Sequence, residues 1–245
     1  MDKLYKRSLA MEFHNNSEPP MHPQSFDPKI QYKIYPNAKA ISLEMNDFGT
    51  DAQIDDTFLK ALGSRISTRA FSGENVDLDT LSKLLTLACG LKHHDSFNRT
   101  YASAGGRYPI EVYIAILRSN DLEKGIYHYN IKRNALELIK QGDYSEKLIG
   151  YYENQNLSTD FPCIIFLSAV FQRTMDKYSD RGYRYMLLDA GHMGQNLYLT
   201  ATYLSLGILG IGRGDVRDKE FDKFLGLVSD NESLIYSFIV GHPQI

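Results

Sequence analysis

Arg65-Ile66-Ser67-Thr68-Arg69-Ala70-Phe71 sets three anion-binding groups, Arg65, Ser67 and Arg69, at every second position. In an extended segment that spacing sends all three side chains to one face. There, two guanidinium forks and a hydroxyl can hold a phosphate dianion through charge-assisted hydrogen bonds. The same residues also fit a solvated basic turn. Two glycine-bearing stretches could bring backbone N–H groups close to a flat ring or a phosphate: Ser103-Ala104-Gly105-Gly106 and Gly207 to Gly214, the latter with Gly212, Arg213 and Gly214. A plain turn before a strand would tolerate the first equally well. The second has the look of a dinucleotide fingerprint, but a long helix rather than a strand precedes it. Lys177-Tyr178 sets an amine beside a phenol where Arg173, Lys177, Arg181 and Arg184 recur at about one helical turn, a spacing that by itself describes a solvated basic face.

The elements that must position these groups can be read from periodicity. Asp55 to Leu62 and Asp77 to Ala88 have helical spacing and flank the candidate clamp; the second opens on Asp77 and Asp79 as caps and stops at Gly90. Glu111 to Leu117, Gly125 to Tyr129 and Ala135 to Ile139 read as three consecutive strands, Asp143 to Tyr152 as a helix, and Pro162 to Val170 and Ser233 to Val240 as later strands. The longest element is expected from about Arg184 to Leu206, where Ala190, Gly191, Gly194 and Ala201 permit close backbone approach. Asp189, His192 and Asn196 fall at i, i+3 and i+7, a polar stripe on an otherwise apolar helix that belongs in an interior or a subunit interface. His192 reads as a satisfied, buried histidine rather than a catalytic group. Helices and strands mix without βαβ alternation, so the expected class is α+β. Residues 1–48, with Pro19, Pro20, Pro23, Pro28 and Pro36, form an N-terminal arm, and residues 49–245 a single catalytic domain.

Composition narrows the function classes. At 245 residues and 43% hydrophobic content the chain can bury an ample core, and its formal net charge of -3 offers no broad positive field for nucleic acid. Cys89 and Cys163 sit far apart among apolar neighbours, as reduced core thiols do. The histidines lack the i, i+4 spacing of a helical zinc site, so no metal is expected. Met1 to Ala10 has no apolar core and Cys163 to Phe171 is too short to span a membrane, so the protein is expected to be soluble and cytoplasmic.

Four segments carry a resemblance to a known family. Arg65 to Phe71 resembles the Arg-x-Ser-x-basic run with which nitroreductase-like flavin enzymes grip the phosphate of FMN. Arg99 to Tyr113 contains Ser103-Ala104-Gly105-Gly106-Arg107-Tyr108-Pro109, similar to the Ser-Ala-Gly-Gly-x-Tyr-Pro signature of the SagB-type dehydrogenases, FMN-dependent azoline oxidases of ribosomal peptide biosynthesis. Phe171 to Tyr178 with Arg181 to Leu197 resembles the same branch, and Leu206 to Asp215 resembles the loop that passes the isoalloxazine.

The resemblance implies a nitroreductase-like fold, a central mixed β-sheet flanked by helices with a long central helix at the dimer interface. It also implies a homodimer with two FMN sites between subunits. FMN would be held by Arg65, Ser67, Arg69, Ser103, Ala104, Gly106, Gly212, Arg213 and Gly214. Lys177 and Tyr178 match the pair implicated in azoline oxidation, where a base removes a ring proton while flavin N5 accepts a hydride. Lys177 would act as that base if desolvated beside other cations, and Tyr178 would orient the ring or share the proton; sequence does not say which of the two carries it. Gly106 stands where many relatives place asparagine, and no Lys or Arg follows Lys223, so FMN would lean on Arg65 and Arg69. The expected function is dehydrogenation of thiazoline or oxazoline rings in a peptide substrate, with dioxygen as reoxidant and a cyclodehydratase complex as a further partner. The alternatives are an NAD(P)H-dependent nitro or quinone reductase of the same fold, and a non-catalytic flavin-binding scaffold subunit.

Overall fold

The computed structural model describes residues 8–17, 57–93, 97–152, 158–212, 218–228 and 230–244. The proline-rich part of the arm, Asp55, Arg213 and Gly214 lie outside these residues.

Alternating apolar residues build a six-stranded sheet in the order β3-β2-β1-β4-β6-β5. Its strands are β1 (Ile110–Ile116), β2 (Gly125–Asn130), β3 (Ala135–Gln141), β4 (Cys163–Val170), β5 (Gly207–Ile211) and β6 (Glu232–Gly241). Every pairing between them is antiparallel, where a mixed sheet was expected. β4 is apolar almost throughout because both of its faces are covered. Cys163, Ile165, Leu167 and Ala169 point into one core cluster and Ile164 and Phe166 into the other. Each fully buried Ile, Leu or Phe among them stabilises the fold by about 1.5–3 kcal/mol. Burial also pushes the Cys163 thiol up to about 12, and Cys89 in the same direction, so neither is a nucleophile near neutrality.

Around the sheet lie α1 (Leu9–Asn16), α2 (Thr57–Ser64), α3 (Leu78–Cys89), α4 (Ser145–Gly150), α5 (Phe171–Tyr178), α6 (Arg181–Tyr203) and α7 (Asp218–Leu225). Asp77 caps α3 as expected, its carboxylate accepting the Thr80 N–H at 2.6 Å. The short α1 is seated by His14, which is buried and hydrogen-bonded to the hydroxyls of Tyr183 at 2.9 Å and Ser233 at 3.0 Å.

The long helix starts three residues earlier than its spacing suggested and ends at Tyr203. Ahead of it, α5 is a separate helix that stops where Ser179 takes φ +50°. The glycine-rich segment after α6, read from sequence as a loop, begins instead as edge strand β5, since Gly207 to Ile211 pair with β6. Among the described residues no helix is long and apolar enough to cross a membrane.

Candidate active site

The segment after α2 is tied down along its length. Thr68 N–H donates to the Ile208 carbonyl of β5 at 2.9 Å, and beyond it Ser72 N–H reaches His242 and Gln244 N–H reaches Ala70. Gly207 makes the crossing possible: a Cβ there would lie 2.6 Å from Thr68 Cγ2. Two of the three clamp residues converge on Tyr198 of α6. The Arg65 guanidinium lies 5.4 Å from its ring centroid, and Ser67 Oγ is 3.2 Å from its hydroxyl. That hydroxyl accepts the Gly210 N–H at 2.7 Å. Arg69 is exposed, and among the described residues neither it nor Arg65 meets a carboxylate. Gly212, at the end of β5, is also exposed, and a Cβ there would meet nothing within 4 Å.

A second cluster forms around the 3-10 turn Ala104–Gly106 that precedes β1. Gly105 sits at φ +60°, and a Cβ on it would lie 2.8 Å from Lys177 Nζ and closer still to Tyr178 Oη. The amine and the phenol therefore meet the turn at Gly105. Gly106 also has positive φ, +63°, but its Cβ position opens into free space. Reciprocal bonds stitch α5 to the turn: Arg107 Nε donates to the Arg173 carbonyl at 2.6 Å, and Arg173 Nη1 donates to the Tyr108 carbonyl at 3.2 Å. Arg173 also pairs with Glu111, which accepts from His128 at 2.9 Å. Burial pushes Glu111 up, but the His128 hydrogen bond and the Arg173 charge outweigh it and hold the carboxyl below its usual range. Lys177 is exposed, so this chain alone does not supply the desolvation that the sequence reading asked for.

The polar stripe of α6 grips the segment leading into this turn. Asn196 Nδ2 donates to the Thr100 carbonyl at 3.1 Å, His192 Nδ1 to the Ala102 carbonyl at 3.1 Å, and Asp189 accepts from Ser103 Oγ at 2.5 Å and Ala104 N–H at 3.2 Å. His192 is exposed rather than buried, although it bonds the Ala102 carbonyl. The hydroxyl proton of Ser103 and the N–H of Ala104 are thus both committed to Asp189, which leaves Ser103 able only to accept from a bound group. The spacing announced the stripe; its partners, and the roles of Tyr198, Arg107 and Arg173, were not visible in sequence.

Among the described residues no hydrogen bond or ring contact links the two clusters. At about 100° per residue, the nine residues from Asp189 to Tyr198 correspond to about half a turn of offset around α6. The clamp, Tyr198 and β5 lie on one flank of the helix and the turn with Lys177 and Tyr178 on the other. Between these flanks Leu188 is 54% exposed, and Leu187, on the side of Tyr198, is 40% exposed.

Comparison with known proteins agrees with this architecture. The nitroreductase family profile matches residues 62–242. The nitroreductase-assigned protein MJ1384 of Methanocaldococcus jannaschii is 31% identical over 162 residues, 66% of this chain and 79% of that protein. The microcin B17-processing protein McbC of Escherichia coli is 28% identical over 137 residues, 54% of this chain and 50% of McbC, so the chain matches half of that relative's length. In fold, the E. coli microcin synthetase McbBCD complex with truncated pro-MccB17 superposes with a TM-score of 0.73 at 20% identity, covering 96% of this chain and 87% of that one. With an antiparallel sheet, a long central helix and a profile match that takes in both the clamp and the Gly-Gly turn, the chain belongs to the nitroreductase family.

Proposed function

We propose that this nitroreductase-family oxidoreductase binds FMN and dehydrogenates thiazoline or oxazoline rings of a ribosomally made peptide to azoles. The observation that carries the reading is the convergence of Lys177 and Tyr178 on Gly105, in a chain that is also similar to McbC.

The residues present fit FMN. Arg65 and Arg69 are cations without carboxylate partners among the described residues, and Ser67 lies between them in the chain, a set of groups that can hold a phosphate dianion. Gly212 opens onto free space that a planar ring can enter. Bound FMN supplies a two-electron acceptor. Lys177 takes the proton leaving the azoline ring carbon, with Tyr178 orienting the ring or sharing that proton, and both side-chain ends lie against the turn at Gly105. The ring loses one proton and one hydride equivalent, and dioxygen is the terminal oxidant.

The opposite flanks of α6 support a homodimer in which one copy's clamp faces the other copy's turn, so that each site takes residues from both. Cover by the second copy and the peptide then removes Lys177 from water. A cyclodehydratase complex is the fitting partner, by likeness to the chain of the McbBCD assembly.

The similarity to MJ1384 favours a second reading, an NAD(P)H-dependent nitro or quinone reductase. Anaerobic mixing of the yellow protein separately with NADPH and with an azoline peptide distinguishes them. Bleaching by the peptide alone supports the dehydrogenase; prompt bleaching by NADPH without peptide, and none by peptide, refutes it.

A further inference from the structure

Asp189 is 1% exposed on the flank of α6 that faces the turn, and both of its oxygens accept hydrogen bonds from that turn: Oδ2 from the Ser103 hydroxyl and Oδ1 from the Ala104 N–H. Ser103 Oγ itself accepts the Tyr108 N–H at 2.8 Å, which leaves its single proton for Asp189. Two donors therefore converge on this side chain. A carboxylate satisfies both, whereas an amide brings one acceptor and one donor and satisfies only one in the observed arrangement.

The carboxylate is held there against the preference of the fold. Among the described residues no Lys or Arg forms an ion pair with it, and a buried charge without a counter-charge is disfavoured. Burial pushes its carboxyl up, opposed by the Ser103 hydroxyl, the Ala104 N–H and the His192 ring. An acid whose folded pKa lies above its unfolded value lowers stability as pH rises through that window, because ionisation is harder in the fold. Stability alone would favour a neutral side chain at this position; the geometry of the turn favours an ionised one.

We propose that Asp189 is a positioning residue that acts through Ser103 and Ala104 to lock the turn, so that Gly105 stays against Lys177 and Tyr178 and the turn keeps the shape that receives the flavin. Its consequence for flavin binding rests on the FMN reading above; the lock itself is measurable without flavin.

The test compares the full-length chain with Asp189→Asn and Asp189→Ala by three measurements: amide hydrogen exchange of residues 100–108 without flavin, thermal unfolding near pH 8, and FMN titration followed by fluorescence quenching. In both variants the turn should exchange at least about tenfold faster and FMN should bind about tenfold more weakly, while the Asn variant unfolds at a temperature no lower than the parent. Unchanged exchange across residues 100–108 in both variants would overturn the proposal. So would an Asn variant that loses thermal stability with faster exchange along all of α6, which marks a general structural anchor. If the parent chain fails to bind FMN, the cofactor reading falls, and the exchange result still decides the lock.

Discussion

Gly105→Ala separates backbone strain from displacement of the amine-phenol pair. An alanine at φ +60° occupies the left-handed region, a penalty of about 1–2 kcal/mol in stability. Its methyl would lie 2.8 Å from Lys177 Nζ and 3.3 Å from Tyr178 Cζ. Relief to an ordinary contact of about 3.5 Å requires Lys177 to retreat by about 0.7 Å. The Lys177 amine ends a flexible side chain and can yield, whereas the Tyr178 hydroxyl, closer still, yields only if its ring turns against Tyr185. Misplacement on the scale of 1 Å can cost about a hundredfold in rate, so kcat for azole formation should fall about ten- to a hundredfold, or about 1.4–2.7 kcal/mol, with KM little changed. Gly106→Ala is the control for strain. Its φ is +63° with open space beyond, so it should lose similar stability and leave Lys177 and Tyr178 in place. Chemical denaturation and peptide turnover measured on the same preparations give both quantities. A stable Gly105→Ala protein with undiminished kcat would refute the idea that contact at this turn sets the pair.

The clamp and the cross-strand charges give two further expectations. Charge-assisted hydrogen bonds contribute about 1.5–3 kcal/mol each, so an Arg65→Ala, Arg69→Ala double variant should bind FMN roughly 10²- to 10⁴-fold more weakly and purify colourless; a yellow double variant would remove the clamp from the site. His128 is raised by its hydrogen bond to Glu111, against burial, with help from Glu137. Its stabilising contribution is complete below the unfolded value of about 6.5 and is lost as pH rises through the folded value. The stability advantage of the parent over His128→Gln should therefore shrink as pH rises above about 6.5, and urea unfolding showing a constant gap would contradict this.

Sequence carried local features well and tertiary ones poorly. Asp77 and Gly90 announced the ends of α3, and both do their expected work at its caps. Arg65 and Ser67 were legible as neighbours because alternation in an extended chain is a local property. The Ser179 corner was not legible, since nothing in its neighbours signals φ +50°, and the start of α6 was misplaced with it. The resemblance of Leu206 to Asp215 to a flavin-side loop does not reveal β5; pairing with β6, a partner more than twenty residues away, makes it a strand. Asp189 was visible as part of a stripe, but its partners Ser103 and Ala104 are brought to it only by the packed fold. The separation of clamp and turn by α6 has the same origin.

The proposed chemistry stands most directly on Lys177. A Lys177→Ala protein, given an azoline-containing peptide in air, is followed by mass spectrometry for the loss of two hydrogens and by the visible spectrum of its bound flavin. The expected outcome is a protein that stays yellow and forms no azole. A yellow Lys177→Ala protein that makes azole at the parent's rate would contradict the assignment of this side chain to the ring proton.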